Sequence, residues 1–161
     1  MSLRPDFCAP RLADVPLTAL GGARVLLLDA DNTLAPWRGA VPDPAAARWV
    51  ESAKAAGFCL CIASNSDAER LRPLEEALGI LAFPRAGKPL PSGLRRIARE
   101  MGAAPDACAL IGDQLLTDVL AARLAGMRAV LLEPLDPSRE FTGTRVNRVL
   151  ERILLRIFRI R

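Results

Sequence analysis

Short apolar runs recur along the chain, and between them lie longer mixed stretches that open on capping residues and close on glycine. Val25-Leu26-Leu27-Leu28 is the first run, bounded upstream by Gly21-Gly22. So short and unbroken a run reads as a strand buried on both faces. The same reading places strands at about Arg24–Ala30, Phe58–Ala63, Ile80–Phe83, Ala107–Ile111 and Arg128–Leu132. Asp43-Pro44 supplies an N-cap and a first helical position, for a helix that runs to about Ala56 and stops at Gly57. Ser66 or Asp67 caps a second helix, which extends to about Leu78 with Gly79 as its stop. Further helices are predicted at about Pro91–Met101, ended by Gly102, and at Leu116–Leu124, stopping near Gly126. This alternation predicts an α/β fold, a five-stranded parallel sheet with helices on both faces. Right-handed crossovers then bring every strand's carboxyl end to one rim.

Proline marks what lies outside this alternation. Residues 1–22 carry Pro5, Pro10 and Pro16 and read as an N-terminal arm packed on the body. Residues 34–44 hold Pro36, Pro42 and Pro44 with Trp37, a loop in which Trp37 either covers a site or packs underneath. A length of 161 residues suits a single domain, 1–161, with a real core, and an apolar fraction of 51% argues against disorder. No apolar run approaches a membrane span, and the first residues lack the apolar stretch of a secretory signal. A cytoplasmic protein is the expectation. The net charge of +4 is uneven: six arginines and one glutamate fall in 145–161, so the rest is close to neutral. A basic tail on a neutral body argues against a general nucleic-acid surface and for a localised anionic partner.

The chemistry gathers where the first strand ends, at Asp29-Ala30-Asp31-Asn32-Thr33. Two carboxylates at the mouth of a parallel sheet repel unless a cation or proton joins them, which points to Mg²⁺, a hard ion with oxygen ligands. The plain alternative is a turn and helix cap, with Asn32 and Thr33 as capping types. Ser64, Asn65 and Asp113 close later strands, and Lys88 precedes a helix, so all belong to the same rim. The chain contains no histidine, which removes Ser-His-Asp triads and His-ligated metals. Its four cysteines lack zinc spacing, and Cys59 and Cys61 read as small core residues on one side of a strand. What remains suits phosphoryl transfer. One carboxylate attacks phosphorus to form an aspartyl phosphate. A second, two residues on, protonates the leaving oxygen and then activates water. A lysine and a Ser/Asn pair hold the other phosphoryl oxygens.

Together these residues resemble the haloacid dehalogenase (HAD) superfamily of phosphohydrolases. Its first motif looks like Asp29–Thr33, its second like Ser64, its third like Lys88-Pro89 and its fourth like Gly112-Asp113-Gln114-Leu115-Leu116-Thr117-Asp118. The four stand in the family's order. The resemblance implies a HAD-like Rossmannoid fold in which Asp29 is the nucleophile and Asp31 the general acid/base. Ser64, Asn65 and Lys88 would bind the substrate phosphate. It further implies that Mg²⁺ is ligated by Asp29, the Asp31 carbonyl and Asp113. Asp118 would support the metal waters or Lys88, and Thr33 would stand in the same supporting layer. The presence of Asp31 points to a phosphatase, because the superfamily's dehalogenases lack that second aspartate. Lysine is scarce here, two against 20 arginines, so Lys88 at the motif position is less readily an accident.

The family inserts its cap domains between the first and second motifs or between the second and third. Core elements fill both intervals here, so no cap is expected and the site should be open. An open site suits a macromolecule or a membrane-borne head group, unless a neighbouring subunit closes it. Within the superfamily the chain resembles the subfamily IIIA, YqeG-type phosphatases, in its opening Leu3-Arg4-Pro5-Asp6 and in Thr144-Arg145-Val146-Asn147-Arg148. Relatives of that group act on phosphatidylglycerophosphate, an intermediate of phospholipid biosynthesis. The expected function is therefore a Mg²⁺-dependent phosphatase acting on that lipid. The alternatives are a soluble phosphatase of nucleotide or sugar phosphates, closed by oligomerisation, and a non-catalytic HAD scaffold that binds a partner. Residues 145–161, plotted as a helix, place an arginine stripe beside a wide apolar face. That pattern lies on anionic lipid or packs on the sheet, and the first choice puts the protein peripherally on the inner face of the membrane.

Overall fold

The computed structural model describes residues 3–138. Its strands are β1 (Phe7–Ala9), β2 (Val25–Leu28), β3 (Cys59–Ala63), β4 (Leu81–Phe83), β5 (Cys108–Gly112) and β6 (Arg128–Leu132). All pair in parallel, in the order β1-β6-β5-β2-β3-β4. The helices are α1 (Pro44–Ala55), α2 (Ala68–Leu78), α3 (Pro91–Glu100) and α4 (Leu120–Ala125). The basic stretch 145–161 and its expected helix lie outside the described residues.

The sheet has six strands, where the apolar pattern predicts five. The extra strand is β1, inside the N-terminal arm, which pairs Phe7, Cys8 and Ala9 with Val130, Leu131 and Leu132 of β6. Three residues between prolines are too few to show a period. Asp6 sets the register instead: its backbone N–H donates to the Ala129 carbonyl at 2.8 Å, and its carboxylate accepts from the Ala129 N–H at 2.8 Å. Further along the arm, the Val15 carbonyl accepts from the Trp49 indole N–H of α1 at 2.7 Å.

The side-chain period of two divides each central strand between two cores. Leu26, Leu28, Leu60, Ile62 and Ile111 face α1, α2 and the arm. Val25, Leu27, Cys61, Ala63 and Leu110 face α3 and α4. Cys59 departs from its expected place, because it begins β3 at the strand's amino end and is exposed. Both faces are thus covered, and no described helix is long and apolar enough to cross a membrane.

The helix expected at Leu116–Leu124 is also different. A π-helical turn, Leu115–Val119, comes first, and regular α-helix begins only at Leu120. The wide turn buries Leu115, Asp118 and Val119 together, a distortion frequent at functional sites.

From β2 the chain winds outward through β3 to β4, then crosses back to β5 and β6 on the other side. The crossovers therefore part between β2 and β5, and such a parting opens a crevice beyond the carboxyl ends of the strands. The stretch between β2 and β3 is taken up by a loop and α1, and that between β3 and Lys88 by α2 and β4.

Candidate active site

Asp29 lies one residue beyond β2, its backbone N–H bonded to the Ile111 carbonyl of β5 at 2.9 Å. Asp29 is buried, its side chain only 9% exposed. Lys88 Nζ donates to Asp29 Oδ1 and to Asp118 Oδ1, each at 2.7 Å. Asn65 fixes the lysine from behind: its side-chain amide donates to the Lys88 carbonyl at 2.8 Å, and its Oδ1 accepts from the Lys88 N–H at 2.9 Å. Asn65 lines the cavity as expected of a phosphate contact, yet these bonds give it a positioning task that spacing did not reveal. Ser64, at the end of β3, is buried and its hydroxyl accepts from the Ser66 N–H at 3.2 Å.

The fourth motif owes its shape to Gly112. A Cβ there would stand 2.3 Å from Asp118 Oδ2. Glycine lets Asp118 fold back over the end of β5, where Oδ2 accepts from the Gln114 N–H at 3.1 Å. Asp118 thus spends one oxygen on Lys88 and the other on the turn, in keeping with a supporting residue. Asp113 is buried beside it, 2% exposed. Thr33 is buried too, and its hydroxyl has no hydrogen-bond partner among the described residues.

Burial raises the Asp29 carboxyl to about 6, against the opposing pull of the Lys88 ammonium. For Lys88, burial alone would lower the value, but Asp118 and Asp29 outweigh it and hold the ammonium charged. Asp29, Asp113 and Asp118 each bring a carboxylate oxygen within 4.8 Å of the others. The three carboxylates outnumber the one ammonium, and all three are hard oxygen donors. The residues therefore fit a divalent cation of the oxygen-loving kind. The expected metal set takes the Asp31 backbone carbonyl with Asp29 and Asp113, a contact that the three-carboxylate cluster leaves open.

Asp31 is the open member of the first motif, its side chain 20% exposed. Its Oδ1 accepts from the Arg38 N–H at 2.7 Å and from the Arg70 guanidinium at 2.7 Å. The Ser66 hydroxyl donates to Oδ2 at 3.3 Å. A cavity of about 450 Å³ opens over Asp29, Asp31, Ser64 and Lys88, with Trp37, Gln114 and Thr117 on its walls. Trp37 thus sits at the site, one of its two expected places. Asn32 takes a left-handed backbone (φ 61°), a state asparagine tolerates. It accepts from the Leu135 N–H at 3.1 Å and the Asp136 N–H at 3.2 Å, tying the segment after β6 to the acidic turn.

Arg70, Ser66 and the Arg38 amide were not anticipated. A signal for Arg70 did exist. It lies in the first turn of α2, where the helix dipole disfavours a cation. A basic residue there needs an acidic partner from elsewhere in the fold.

The chain belongs to the haloacid dehalogenase-like hydrolases, whose family model matches residues 17–126, and is a phosphoric monoester hydrolase. Over 130 residues it is 37% identical to the probable phosphatase YqeG of Bacillus subtilis, covering 81% of this chain and 75% of that one. A second relative is the chloroplastic phosphatidylglycerophosphate phosphatase 1 of Chlamydomonas reinhardtii, 30% identical over 161 residues. That match covers 91% of this chain but spans only 59% of the algal protein. Among solved structures, the D,D-heptose 1,7-bisphosphate phosphatase of B. bronchiseptica, complexed with magnesium and phosphate, superposes with a TM-score of 0.56. It is 21% identical, over 67% of this chain and 79% of that one, which speaks to the fold alone.

Proposed function

We propose that the chain is a capless, Mg²⁺-dependent phosphatase that works through an aspartyl phosphate on Asp29, with phosphatidylglycerophosphate as its substrate. The observation that carries the reaction is the Lys88 bridge. It holds Asp29 in one place at the floor of the cavity, with an oxygen free to attack phosphorus. Asp29, Asp113 and the Asp31 carbonyl would hold a Mg²⁺, which when bound would supply charge to offset the phosphate beside the carboxylates. Lys88 and Ser64 bind the other phosphoryl oxygens. Asp29 attacks as Asp31 gives its proton to the leaving oxygen. Asp31 then takes a proton from water, and the acyl phosphate is hydrolysed. Asp118 keeps Lys88 in place, and Thr33 backs the acidic turn.

The name of the algal relative and the arginines of 145–161 support the lipid substrate and a place on an anionic membrane surface. The short intervals between the motifs support the absence of a cap, and with it an open mouth for a head group. Phosphate release across lipid and soluble phosphomonoesters, with EDTA and with Mg²⁺, tests both parts. The expected result is metal-dependent turnover with the highest kcat/KM on phosphatidylglycerophosphate. Undiminished turnover after exhaustive chelation would overturn the metal role, and preference for a sugar or nucleotide phosphate would overturn the lipid.

A further inference from the structure

Arg70 does nothing in the chemistry so far, yet its placement is costly. Its side chain is 17% exposed, and its Nε and Nη1 are buried with no hydrogen-bond partner among the described residues. Buried donors left unmade lower stability. The first turn of α2 adds an unfavourable dipole. Against this stands one short contact, Nη2 to Asp31 Oδ1 at 2.7 Å. Arg70 is not among the residues lining the cavity, and its contact with the site is the one it makes to Asp31.

The two oxygens of Asp31 are treated unequally. Oδ1 is gripped by two donors at 2.7 Å, the Arg70 guanidinium and the Arg38 amide. Among the described residues Oδ2 has the Ser66 hydroxyl alone, at 3.3 Å. The general acid/base must offer one oxygen to the leaving group and later to water, at a fixed height above Asp29. A carboxylate free to turn about its terminal torsion would exchange its oxygens and lose that geometry.

We propose that Arg70 is the positioning residue of the general acid/base: it clamps Asp31 Oδ1 and leaves Oδ2 as the oxygen that exchanges the proton. The inference rests on Asp31 having that role. In the first step the P–O bond to the leaving group breaks, Asp29 forms its bond to phosphorus, and the Oδ2 proton passes to the departing oxygen. In the second, water attacks phosphorus, its proton goes to Oδ2, and Asp29 is released.

The test separates leaving groups. p-Nitrophenolate departs without a proton, whereas the alkoxide of glycerol 3-phosphate needs one. For Arg70→Met the expected kcat/KM on p-nitrophenyl phosphate stays within about threefold of wild type, while that on glycerol 3-phosphate falls about 100-fold. A burst of p-nitrophenolate should appear, because acyl-phosphate hydrolysis still needs the base. Arg70→Lys should fall between, since a lysine supplies charge without the planar fork. The same comparison on Asp31→Asn is the control. If Asp31→Asn shows the split and Arg70→Met does not, the positioning role is wrong and the reading of Asp31 stands. If neither shows it, the reading of Asp31 itself is wrong. Equal loss on both substrates for Arg70→Met means a structural role and overturns the proposal. Should that variant fail to fold, Arg70→Lys must show the split, and uniform loss there overturns it equally.

Discussion

Asp29 and Asp31 are separated by a single residue and live in opposite surroundings. Asp29 is buried against an ammonium that is itself buried, in a cluster rich in carboxylates. Asp31 is half-open, bonded to a guanidinium, an amide and a hydroxyl, and faces the cavity. The difference follows from the strand's end. At Asp29 the chain is still tied to β5; by Asp31 it has turned into the tight loop through Asn32. What this teaches is a division of labour by solvent access. A nucleophile gains from a dry, fixed seat where charge interactions are strong. A group that hands protons to a leaving group and to water must reach the open side.

Substitutions that remove each function should break the comparison most sharply. Asp29→Asn removes the attacking oxygen, and kcat should fall about 10⁴-fold or more on every phosphomonoester. Asp31→Asn should lose roughly 10²–10⁴-fold in kcat/KM, which reads the first step, and only where the leaving group needs a proton; its kcat should fall on both kinds of ester, because the second step still needs the base. Steady-state kinetics on alkyl and aryl phosphates reads both, with circular dichroism to show that the fold is kept. A similar loss of kcat/KM in the two variants on both substrates would erase the distinction.

Stability distinguishes the two cations next. Lys88→Met strands two buried carboxylates, and urea denaturation without metal should show a loss of about 3–5 kcal/mol. Arg70→Met removes a guanidinium with two unmatched buried donors, and stability should change by less than about 1 kcal/mol. Equal losses would mean that the two ion pairs serve the same end.

The smallest effect is in pH. In the cation-free protein the folded value for Asp29 is about 6, against an ordinary 3.8. The folded state holds that proton more tightly than the unfolded one. The stability this group contributes is therefore complete below about 4 and is lost as pH rises through about 6. Asp29→Asn has no such proton to bind. The difference in unfolding free energy between variant and wild type should thus shift toward the variant across this window and stay flat above it. A difference constant with pH would contradict the burial effect.

The half of the site around Asp29 was largely legible in the sequence, and the half around Asp31 was not. Asp29 and Asp113 follow strand ends and Lys88 precedes a helix, so topology alone places them near one rim, whereas Asp118 was reached only through the family resemblance. Gly112 could be read as a motif glycine, though only the structure shows that it makes room for Asp118. Arg70, Ser66 and the Arg38 amide reach Asp31 through side-chain length and loop geometry, which no periodicity encodes. β1 escaped for a related reason: its three residues are held in register by Asp6, which bonds the Ala129 N–H and pairs with Arg123 of α4 at 3.0 Å, not by their own pattern.

The central claim is that Asp29 is the residue phosphorylated. Asp31→Asn protein given p-nitrophenyl phosphate and Mg²⁺ should complete the first step and stall at the second. Quenching with borohydride reduces an aspartyl phosphate to homoserine, which peptide mass spectrometry locates. The account predicts homoserine at position 29 and unmodified Asp113 and Asp118. Homoserine at either of those residues, or p-nitrophenolate release with none at position 29, would contradict it.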